Sequence, residues 1–328
     1  GAPSYTIWKE GANYFAKDAN GLIAYSGTNA SEIIQNCVNT LTTGGTICIK
    51  AGEYSIDSTI TIDLCGVYIV GEQWGHHTGP VPGDGTRPNT ATTLKLTTVN
   101  IPIFRWTKGT QHVYFGGLSN MVLWGQELEG ATAVLVDGAS DLIFEDIFVN
   151  FFGGNGFDIH ATTDGIWNIW ISRTLVESCM GVAYYLHSSA TYGIEGVWFS
   201  NAYAYNDTYA IYIQGLGSAQ PVRNVQVAGC RLVWALEDAI VIEGNKSYRI
   251  QIYDSRFFEY GINEVNRNCG VRVGVNDTTP FDILISNNII GDLWENANRH
   301  AVILTFRYCC DDVLGNNFIH ENTINLNR

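Results

Sequence analysis

A repeat in the second half of the chain constrains its fold more than any other feature. Six segments share a short apolar-polar-apolar strand, a polar corner and a second apolar strand, and they begin at residues 142, 169, 197, 225, 250 and 283. Successive copies are 27, 28, 28, 25 and 33 residues apart, and a weaker copy begins at Val313. Such a period is typical of a solenoid, in which each repeat packs only on its neighbours.

Most copies carry a third short strand before the next copy begins. These strands are Gly156 to His160, Tyr184 to His187, Ala210 to Gln214, Ala239 to Glu243 and Ala301 to Leu304. Three short strands per turn, with Gly, Asn, Asp and Ser at the corners, indicate one coil of a parallel β-helix. Amphipathic helices do not separate the strands, which excludes a doubly wound α/β fold. We therefore predict an all-β solenoid.

The segment before the coils has the pattern of a short capping helix. Asn29 followed by Glu32 reads as a helix start, and apolar residues at 34, 37, 38 and 41 share one helical face. Gly44 and Gly45 end that helix. We expect one domain over 1–328, with an N-terminal segment and cap at 1–45, coils at 46–328 and a long loop at about 71–92.

Composition excludes several classes of protein. The 328 residues are 46% apolar and 15% charged, which rules out a disordered chain. A net charge of −14 argues against nucleic acid as a partner, because phosphate binding needs a basic surface. No apolar run approaches the roughly 20 residues that span a bilayer.

The cysteines and glycosylation sequons bear on location. Cys37, Cys48 and Cys65 could pair under oxidising conditions or could be small buried core residues. Four N-x-S/T triplets fit an extracellular protein, and they start at Asn29, Asn206, Asn245 and Asn276. We expect a secreted or cell-surface protein.

The opening of the chain resembles the pectate-lyase-like right-handed parallel β-helix superfamily. The residues that carry the resemblance are Ser31 to Asn36, Gly44 to Thr46 and Ala51 to Ile56. The resemblance implies a right-handed parallel β-helix with a short N-terminal capping helix. The superfamily includes lyases, hydrolases, epimerases, phage tailspikes and non-catalytic surface proteins, so fold alone does not decide activity. Some of its lyases use Ca²⁺, but the chain has no dense Asp cluster, and we expect neither a cofactor nor a metal.

Outward residues of successive third strands form two rows, because adjacent strands stand about 4.8 Å apart. The first row is Asp158, Tyr185, Tyr212 and Val241, and the second is His160, His187, Gln214 and Glu243. Abstraction of a proton beside a carboxylate, followed by loss of a 4-O-glycosyl group, needs a base such as His or Tyr and an acid such as Tyr. The rows contain both types, and we predict catalysis by Asp158, His160, Tyr185, His187 and Tyr212.

The segment Asn155 to His160 is similar to the Y-G-F-D-P-H motif of mannuronan C5-epimerases. The resemblance implies catalytic roles for Asp158 and His160. The catalytic Tyr of the motif falls on Asn155, and its Lys has no counterpart here; Tyr185 or Tyr212 could supply the hydroxyl from neighbouring rungs. The alternative role for Asp158 and His160 is that of ordinary solvent-facing polar residues. These residues favour a lyase or epimerase acting on a uronate-containing polysaccharide.

A glycoside hydrolase is the first alternative. The segment from Glu237 to Ile240 is similar to the G-D-D-x-I segment of polygalacturonases, although the other motifs of that family are missing. Hydrolysis would use two carboxylates, and the candidates in this reading are Asp238 and Glu243. The structural alternative for Asp238 is a corner turn.

Further outward residues are candidates for substrate binding. Trp170 and Trp198 occupy equivalent positions in adjacent coils, and flat aromatic rings suit sugar faces. Arg231 and Arg256 share another outward position and could bind carboxylates, and Gln214 belongs to the second row. The tryptophans could instead contact a loop or a trimer interface, and the arginines could be a solvated pair. A third hypothesis is therefore a non-catalytic glycan-binding or tailspike-like protein, monomeric or homotrimeric, with a polysaccharide partner in every case.

Overall fold

The computed structural model describes residues 2–74, 91–216, 220–258, 260, 269–274, 280–291, 300–305, 313–315, 318–320 and 323–327, with backbone alone at 269 and from 291 onward. Most of the predicted loop at 71–92 lies outside the described residues, as does the sequon at Asn276. The chain folds as a parallel β-helix with a capping helix, as predicted.

Most coils have the predicted three strands, but Val113–Trp124 and Ala139–Asn150 each run through two sides of a coil as one strand. The N-terminal elements are β1 (Tyr5–Glu10), β2 (Asn13–Asp18), β3 (Ile23–Gly27) and α1 (Ala30–Thr40). The early coils hold β4 (Gly45–Ile49), β5 (Gly52–Ile56), β6 (Ile60–Ile62), β7 (Val67–Gly71), β8 (Thr92–Leu96), β9 (Pro102–Thr107), β10 (Val113–Trp124), β11 (Thr132–Asp137) and β12 (Ala139–Asn150). The middle coils hold β13 (Phe157–Ala161), β14 (Ile166–Ser172), β15 (Leu175–Glu177), β16 (Val182–Ser188), β17 (Ile194–Ser200), β18 (Tyr203–Tyr205), β19 (Tyr209–Gln214), β20 (Val222–Ala228), β21 (Arg231–Val233), β22 (Ile240–Glu243), β23 (Ser247–Tyr253) and β24 (Arg256–Phe258). The last coils hold β25 (Cys269–Val273), β26 (Phe281–Ser286), β27 (Ile289–Gly291), β28 (His300–Thr305), β29 (Val313–Gly315), β30 (Phe318–His320) and β31 (Thr323–Asn327).

The coil has three sides. Side I runs through β14, β17, β20 and β23 and side II through β15, β18, β21 and β24, and both belong to one 21-stranded sheet. Side III is a ten-stranded sheet from β6 to β31. The pairings between coils are parallel and in register, so each outward residue stands beside its equivalent in the next coil.

Among the described residues, a single residue with positive φ turns the chain from side I to side II in seven coils. These residues have φ between 48° and 63°, and they are Asn120, Asp146, Arg173, Asn201, Gly229, Asp254 and Asn287. Asn, Asp and Gly tolerate this left-handed conformation best. Arg173 is the exception, and its guanidinium is held by Asp146 at 2.9 Å and by Glu145 at 2.5 Å. The corner chemistry therefore fixes the register of the coils.

The inward residues form one continuous core in which rings from different sides interlock. Trp106 and Phe144 lie 5.5 Å apart between ring centroids, Phe144 and Phe157 5.5 Å, and Phe157 and Tyr184 5.4 Å. All four are essentially inaccessible to solvent. This core holds the backbone of sides I and III at a fixed separation.

The N-terminal end of the core is covered by α1 and by an antiparallel meander. The Asn29 side chain accepts a hydrogen bond from the backbone N–H of Glu32 at 3.1 Å, which confirms the predicted start of the helix. The helix buries Ile33, Ile34 and Cys37. Strands β1, β2 and β3 pair antiparallel, and β1 also pairs in parallel with β4. The meander was not predicted, because the sequence analysis treated residues 1–45 as a segment with a helix only.

Two further predictions concern cysteines and membranes. Cys37, Cys48 and Cys65 are free thiols, so the pairing considered above does not form in this structure. Within the described ranges, no helix has both the length and the apolar character needed to cross a membrane.

Candidate active site

The outward rows on side III have the register that the sequence predicts. Asp158 pairs with Tyr185 and His160 with His187 between β13 and β16. Tyr185 then pairs with Tyr212, and His187 with Gln214. In the next coil, β22 adds Val241 to the first row and Glu243 to the second. The parallel sheet thus brings residues of four coils onto one face.

Asp158 is the centre of a hydrogen-bonded group. Its Oδ1 lies 2.7 Å from Nε2 of His187, one coil further on. Its Oδ2 accepts a hydrogen bond from Nδ2 of Asn155 at 2.9 Å, and Oδ1 of the Asn155 side chain accepts one from the backbone N–H of Val182. The side chains of Asp158 and His187 are 18% and 11% exposed. The carboxylate is therefore held at both oxygens while one edge still reaches solvent.

The two histidines and a tyrosine form a stack of rings. The His160 and His187 ring centroids are 3.5 Å apart. The Tyr185 and His187 ring centroids are 4.0 Å apart, and the planes of these two rings are nearly parallel, with an angle of 7° between them. Burial lowers the pKa of His160, and the neighbouring His187 lowers it further, whereas Asp158 and Asp137 act in the opposite direction. His160 is therefore a neutral imidazole at neutral pH, which is the form that accepts a proton.

The tyrosines of the first row hold their protons. Burial raises the pKa of Tyr185 to about 12, with smaller contributions from Asp158 and Glu243. Burial and a hydrogen bond to Glu243 raise the pKa of Tyr212 as well. The Tyr185 hydroxyl donates to Oε1 of Gln214 at 2.7 Å, and the Tyr212 hydroxyl donates to Oε2 of Glu243 at 2.6 Å. Both phenols are thus proton donors near neutral pH.

The carboxylates predicted for hydrolysis are engaged with other groups. Asp238 is 5% exposed and makes two contacts with the Arg272 guanidinium, at 2.6 and 3.0 Å. Glu243 is 7% exposed and accepts hydrogen bonds from Tyr212 and from Nε2 of Gln214. Glu243 therefore closes the second row, while Asp238 belongs to a buried ion pair at the corner before β22.

The candidate substrate-binding residues lie on three different sides. Gln214 is on side III, beside the tyrosines. Trp170 and Trp198 are on side I, where β14 pairs with β17. Arg231 and Arg256 are neighbours on side II, where β21 pairs with β24. Only Gln214 therefore shares a face with the catalytic candidates.

Three residues near the site were not proposed from the sequence. Asn155 orients Asp158, although the sequence comparison marked it only as a departure from a motif. Tyr209 packs edge-on against Tyr212, with ring centroids 5.2 Å apart. Arg105 stands in the same row as Asp158, two coils earlier. The row position of Arg105 was available in the sequence, but the early coils were not aligned with the later ones.

The same cluster has the donor set of a metal site. One ligand atom each from Asp158, His160 and His187 lies within 4.8 Å of the other two. Two imidazoles and a carboxylate are ligands that divalent transition metals accept. Metal binding and proton transfer would use the same atoms and would therefore compete.

Known proteins resemble this chain in structure. No family model matches it, and no curated protein matches it by sequence. The A-module of a mannuronan C-5 epimerase from Azotobacter vinelandii matches 91% of this chain over 94% of its own, with 14% identity and a TM-score of 0.52. A DFA-IIIase from Arthrobacter chlorophenolicus A6, in complex with DFA-III, matches 89% of this chain over 80% of its own, with 12% identity and a TM-score of 0.58.

A viral protein is a third match. ORF18 of Geobacillus virus E2 matches 91% of this chain with 15% identity and a TM-score of 0.54, and the chain spans 59% of that protein. At these identities the matches show a common parallel β-helix fold.

Proposed function

We propose that this chain is a polysaccharide-active enzyme that abstracts a proton from a uronate residue bound on side III, and that it acts as a lyase or an epimerase. One observation carries the proposal: a carboxylate, two imidazoles and two protonated phenols are linked to one another on a single half-buried face. Such a group supplies both a base and an acid.

The roles follow from the protonation states. The neutral His160 imidazole takes the proton from the carbon beside the uronate carboxylate, and the electron pair passes into that carboxyl group. The Tyr185 hydroxyl then gives its proton either to the 4-O-glycosidic oxygen, which leaves as the double bond forms, or to the opposite face of the same carbon. Asp158 holds His187 against both rings and offsets positive charge as His160 becomes protonated.

The substrate class is supported by resemblance and by fold. The Asn155 to His160 segment is similar to a mannuronan C5-epimerase motif, and its Asp and His fall within the cluster. The A-module that matches this chain in fold is described as a mannuronan C-5 epimerase. We therefore infer a uronate-containing glycan as substrate, with the enzyme acting outside the cell, where such polymers lie.

Hydrolysis receives less support from the geometry. Asp158 and Glu243 lie on strands three pairings apart, which is about 14 Å along the sheet at the usual strand spacing. Paired carboxylates of glycosidases are separated by about 5–9.5 Å. The two carboxylates predicted for this reaction, Asp238 and Glu243, are both engaged by other groups. Asp238 pairs with the Arg272 guanidinium, and Glu243 accepts hydrogen bonds from Tyr212 and Gln214.

The test is product formation from defined uronates. The protein is incubated with alginate and with polygalacturonate, and the ultraviolet absorbance of a new conjugated double bond is followed while NMR reports the ratio of uronate epimers. We expect one of the two signals, and expect it to be lost in His160→Ala and in Asp158→Asn. New reducing ends without unsaturation would favour the hydrolase instead, and no product from either polymer would contradict the proposal.

A further inference from the structure

Side I carries a pair of tryptophans that takes no part in the reaction proposed for side III. The Trp170 and Trp198 rings stack across adjacent coils with centroids 5.1 Å apart and an angle of 14° between their planes. Trp170 is 38% exposed, although burying an indole is usually favourable. Trp198 is partly buried, and its ring lies over the backbone of Gly196 in its own strand.

The backbone beneath the pair is shaped for the rings. Gly196 has φ +79° and stands two residues before Trp198. A Cβ at Gly196 would lie 2.7 Å from Cη2 of Trp198 and 3.1 Å from Oδ1 of Asn168. Only glycine therefore lets the Trp198 ring lie over the strand in this position, so the ring orientation is fixed before any ligand arrives.

The stack ends where a cavity begins. The next two residues in the row are Gln226 and Gln251, whose side chains are shorter than an indole. Trp198 borders a cavity of about 430 Å³ that both glutamines and Asn224 also line. This volume lies within the range of about 300–1,000 Å³ found for small-molecule sites. The cavity is thus lined by the indole of Trp198 and by the side-chain amides of Asn224, Gln226 and Gln251.

The polar groups of the cavity are uncharged or mutually compensated. Arg249 and Asp282 line its far end, with Nε and Oδ2 3.8 Å apart, so the charged groups there sum to zero. The Asn224 amide donates to Glu195 at 2.9 Å. In the described part of the chain, the Gln251 amide has no hydrogen-bond partner, and it is exposed. Amides both donate and accept, as sugar hydroxyls do.

We propose that the Trp198, Gln226 and Gln251 cavity, with Trp170 behind it, binds a neutral sugar unit of a glycan at a site separate from side III. The apolar face of a pyranose packs on the aromatic wall, and its hydroxyl groups bond to the amides. A uronate gains no net cation here, since Arg249 is compensated by Asp282. This site holds a polymer without acting on it.

The site is separate from the cluster by topology. Trp198 lies on β17 in the 21-stranded sheet, whereas His187 lies on β16 in the ten-stranded sheet, and the buried core stands between the two faces. Binding on side I therefore does not require a productive complex on side III, and the two activities are measured independently.

The test is affinity electrophoresis of the full chain in gels containing soluble polysaccharides. The probes are three neutral polymers (a mixed-linkage β-glucan, a galactomannan and inulin) and two polyuronates (alginate and polygalacturonate). We expect at least one neutral polymer to retard the protein, and Trp198→Ala and Gln251→Ala each to weaken that retardation by about tenfold or more, as is usual when a central aromatic or hydrogen-bonding anchor is lost. Titration with the same polymer should change the tryptophan fluorescence, and Trp198→Ala should abolish that change.

Matched variants keep the result interpretable. Trp234→Ala is the control, because Trp234 is 37% exposed and lies outside this cavity. Trp198→Phe keeps an aromatic face and should retain part of the affinity. If Trp198→Ala does not fold, this variant still measures the contribution of the ring. His160→Ala should bind the neutral polymer as the unmodified chain does.

Four outcomes would contradict the proposed sugar-binding site on side I. They are retardation by none of the neutral polymers, retardation by polyuronates alone, equal losses in Trp198→Ala and Trp234→Ala, or an oligomer that Trp198→Ala converts to monomers without any glycan binding. The last outcome, read by light scattering, would assign the tryptophan pair to contacts between copies of the chain.

Discussion

Sides III and I of the same coils present opposite kinds of surface. On side III, five outward residues of β13, β16 and β19 are titratable and contact one another across coils, as in the Asp158–His187 pair. They are Asp158, His160, Tyr185, His187 and Tyr212. On side I, the outward row passes from the indole of Trp198 to the amides of Gln226 and Gln251, none of which titrates. The two faces share the strand spacing and the core.

The difference shows that, in a β-helix, inward residues stabilise the fold while outward residues determine the chemistry of each face. Inward residues on both sides are aliphatic or aromatic, so the core places no constraint on which outward chemistry develops. The in-register pairing then turns any outward residue into a row. One face can thus become a proton-transfer site and another a neutral platform.

The largest expected effect separates the two faces by activity. His160→Ala should lower the turnover of a uronate substrate by about 10²–10⁴-fold, because it removes the base. Trp198→Ala should weaken binding of a neutral polymer instead. Because contacts in different sheets are independent, the double variant should show both losses without coupling between them. The readouts are the initial rate of product formation and the retardation in the gel.

Added imidazole provides the control for His160→Ala. It should restore part of the rate by entering the space that the substitution leaves, whereas it should do nothing for an inactive misfolded protein. A rate that stays within twofold of the original in His160→Ala would remove His160 from the mechanism and leave side III without a base.

The second prediction tests whether inward residues, rather than the outward residues of either face, stabilise the fold. Phe157→Ala should lower the free energy of unfolding by about 3–5 kcal/mol, because it empties a position between Phe144 and Tyr184. Ile143→Ala, at an outward position that is 41% exposed and next to Phe144, should change it by less than about 0.5 kcal/mol. Urea unfolding measures both. Similar losses in the two variants would contradict the assignment of inward and outward residues.

The third prediction is a pH dependence of stability that originates in Asp207. This carboxyl is 1% exposed between β18 and β19 and accepts hydrogen bonds from the backbone N–H groups of Cys179 and Tyr205. Burial raises its pKa from 3.8 to about 8, and the nearby charge of Glu177 acts in the same direction. Between these two values the folded chain holds a proton that the unfolded chain releases, so stability falls as the pH rises from about 4 to 8.

Urea unfolding at pH 5 and pH 7.5 measures the Asp207 effect. Asp207→Asn, which cannot ionise, should reduce the difference between the two pH values even though it loses one acceptor. Because Asp207 precedes β19, the protection of backbone amides, corrected for the pH dependence of intrinsic exchange, should fall at the higher pH more in β19 on side III than in β17 on side I. An unchanged difference in Asp207→Asn would show that other groups carry the pH dependence.

The sequence predicted the rows because the repeat is strict in the middle of the chain. Aligning Ile159, Leu186 and Ile213 as inward residues was enough to place Asp158 beside Tyr185 and His160 beside His187, and the structure has that register. The helix start at Asn29 was equally local, since its signal is the spacing to Glu32.

What the sequence could not predict depends on contacts between coils and on which side a row faces. Trp170 and His160 were assigned to different strands of the coil, but that assignment does not say how the two outward rows are oriented relative to each other. The pairing of Asp238 with Arg272 joins residues 34 positions apart in the chain, and only the folded coils bring them together. The antiparallel meander was not predicted, because no strand was recognised before the helix that starts at Asn29.

The cover that α1 and β1 to β3 place over the first coil has a consequence for self-association. A solenoid end without a cover presents unpaired backbone N–H and C=O groups of a strand, and a second chain can add to them head to tail without closing into a ring. Here β1 occupies the edge of β4, and antiparallel β2 and β3 cannot continue the parallel coil. A chain that lacked residues 2–29 would expose the β4 edge to pairing with a strand of another chain, and light scattering should then report association.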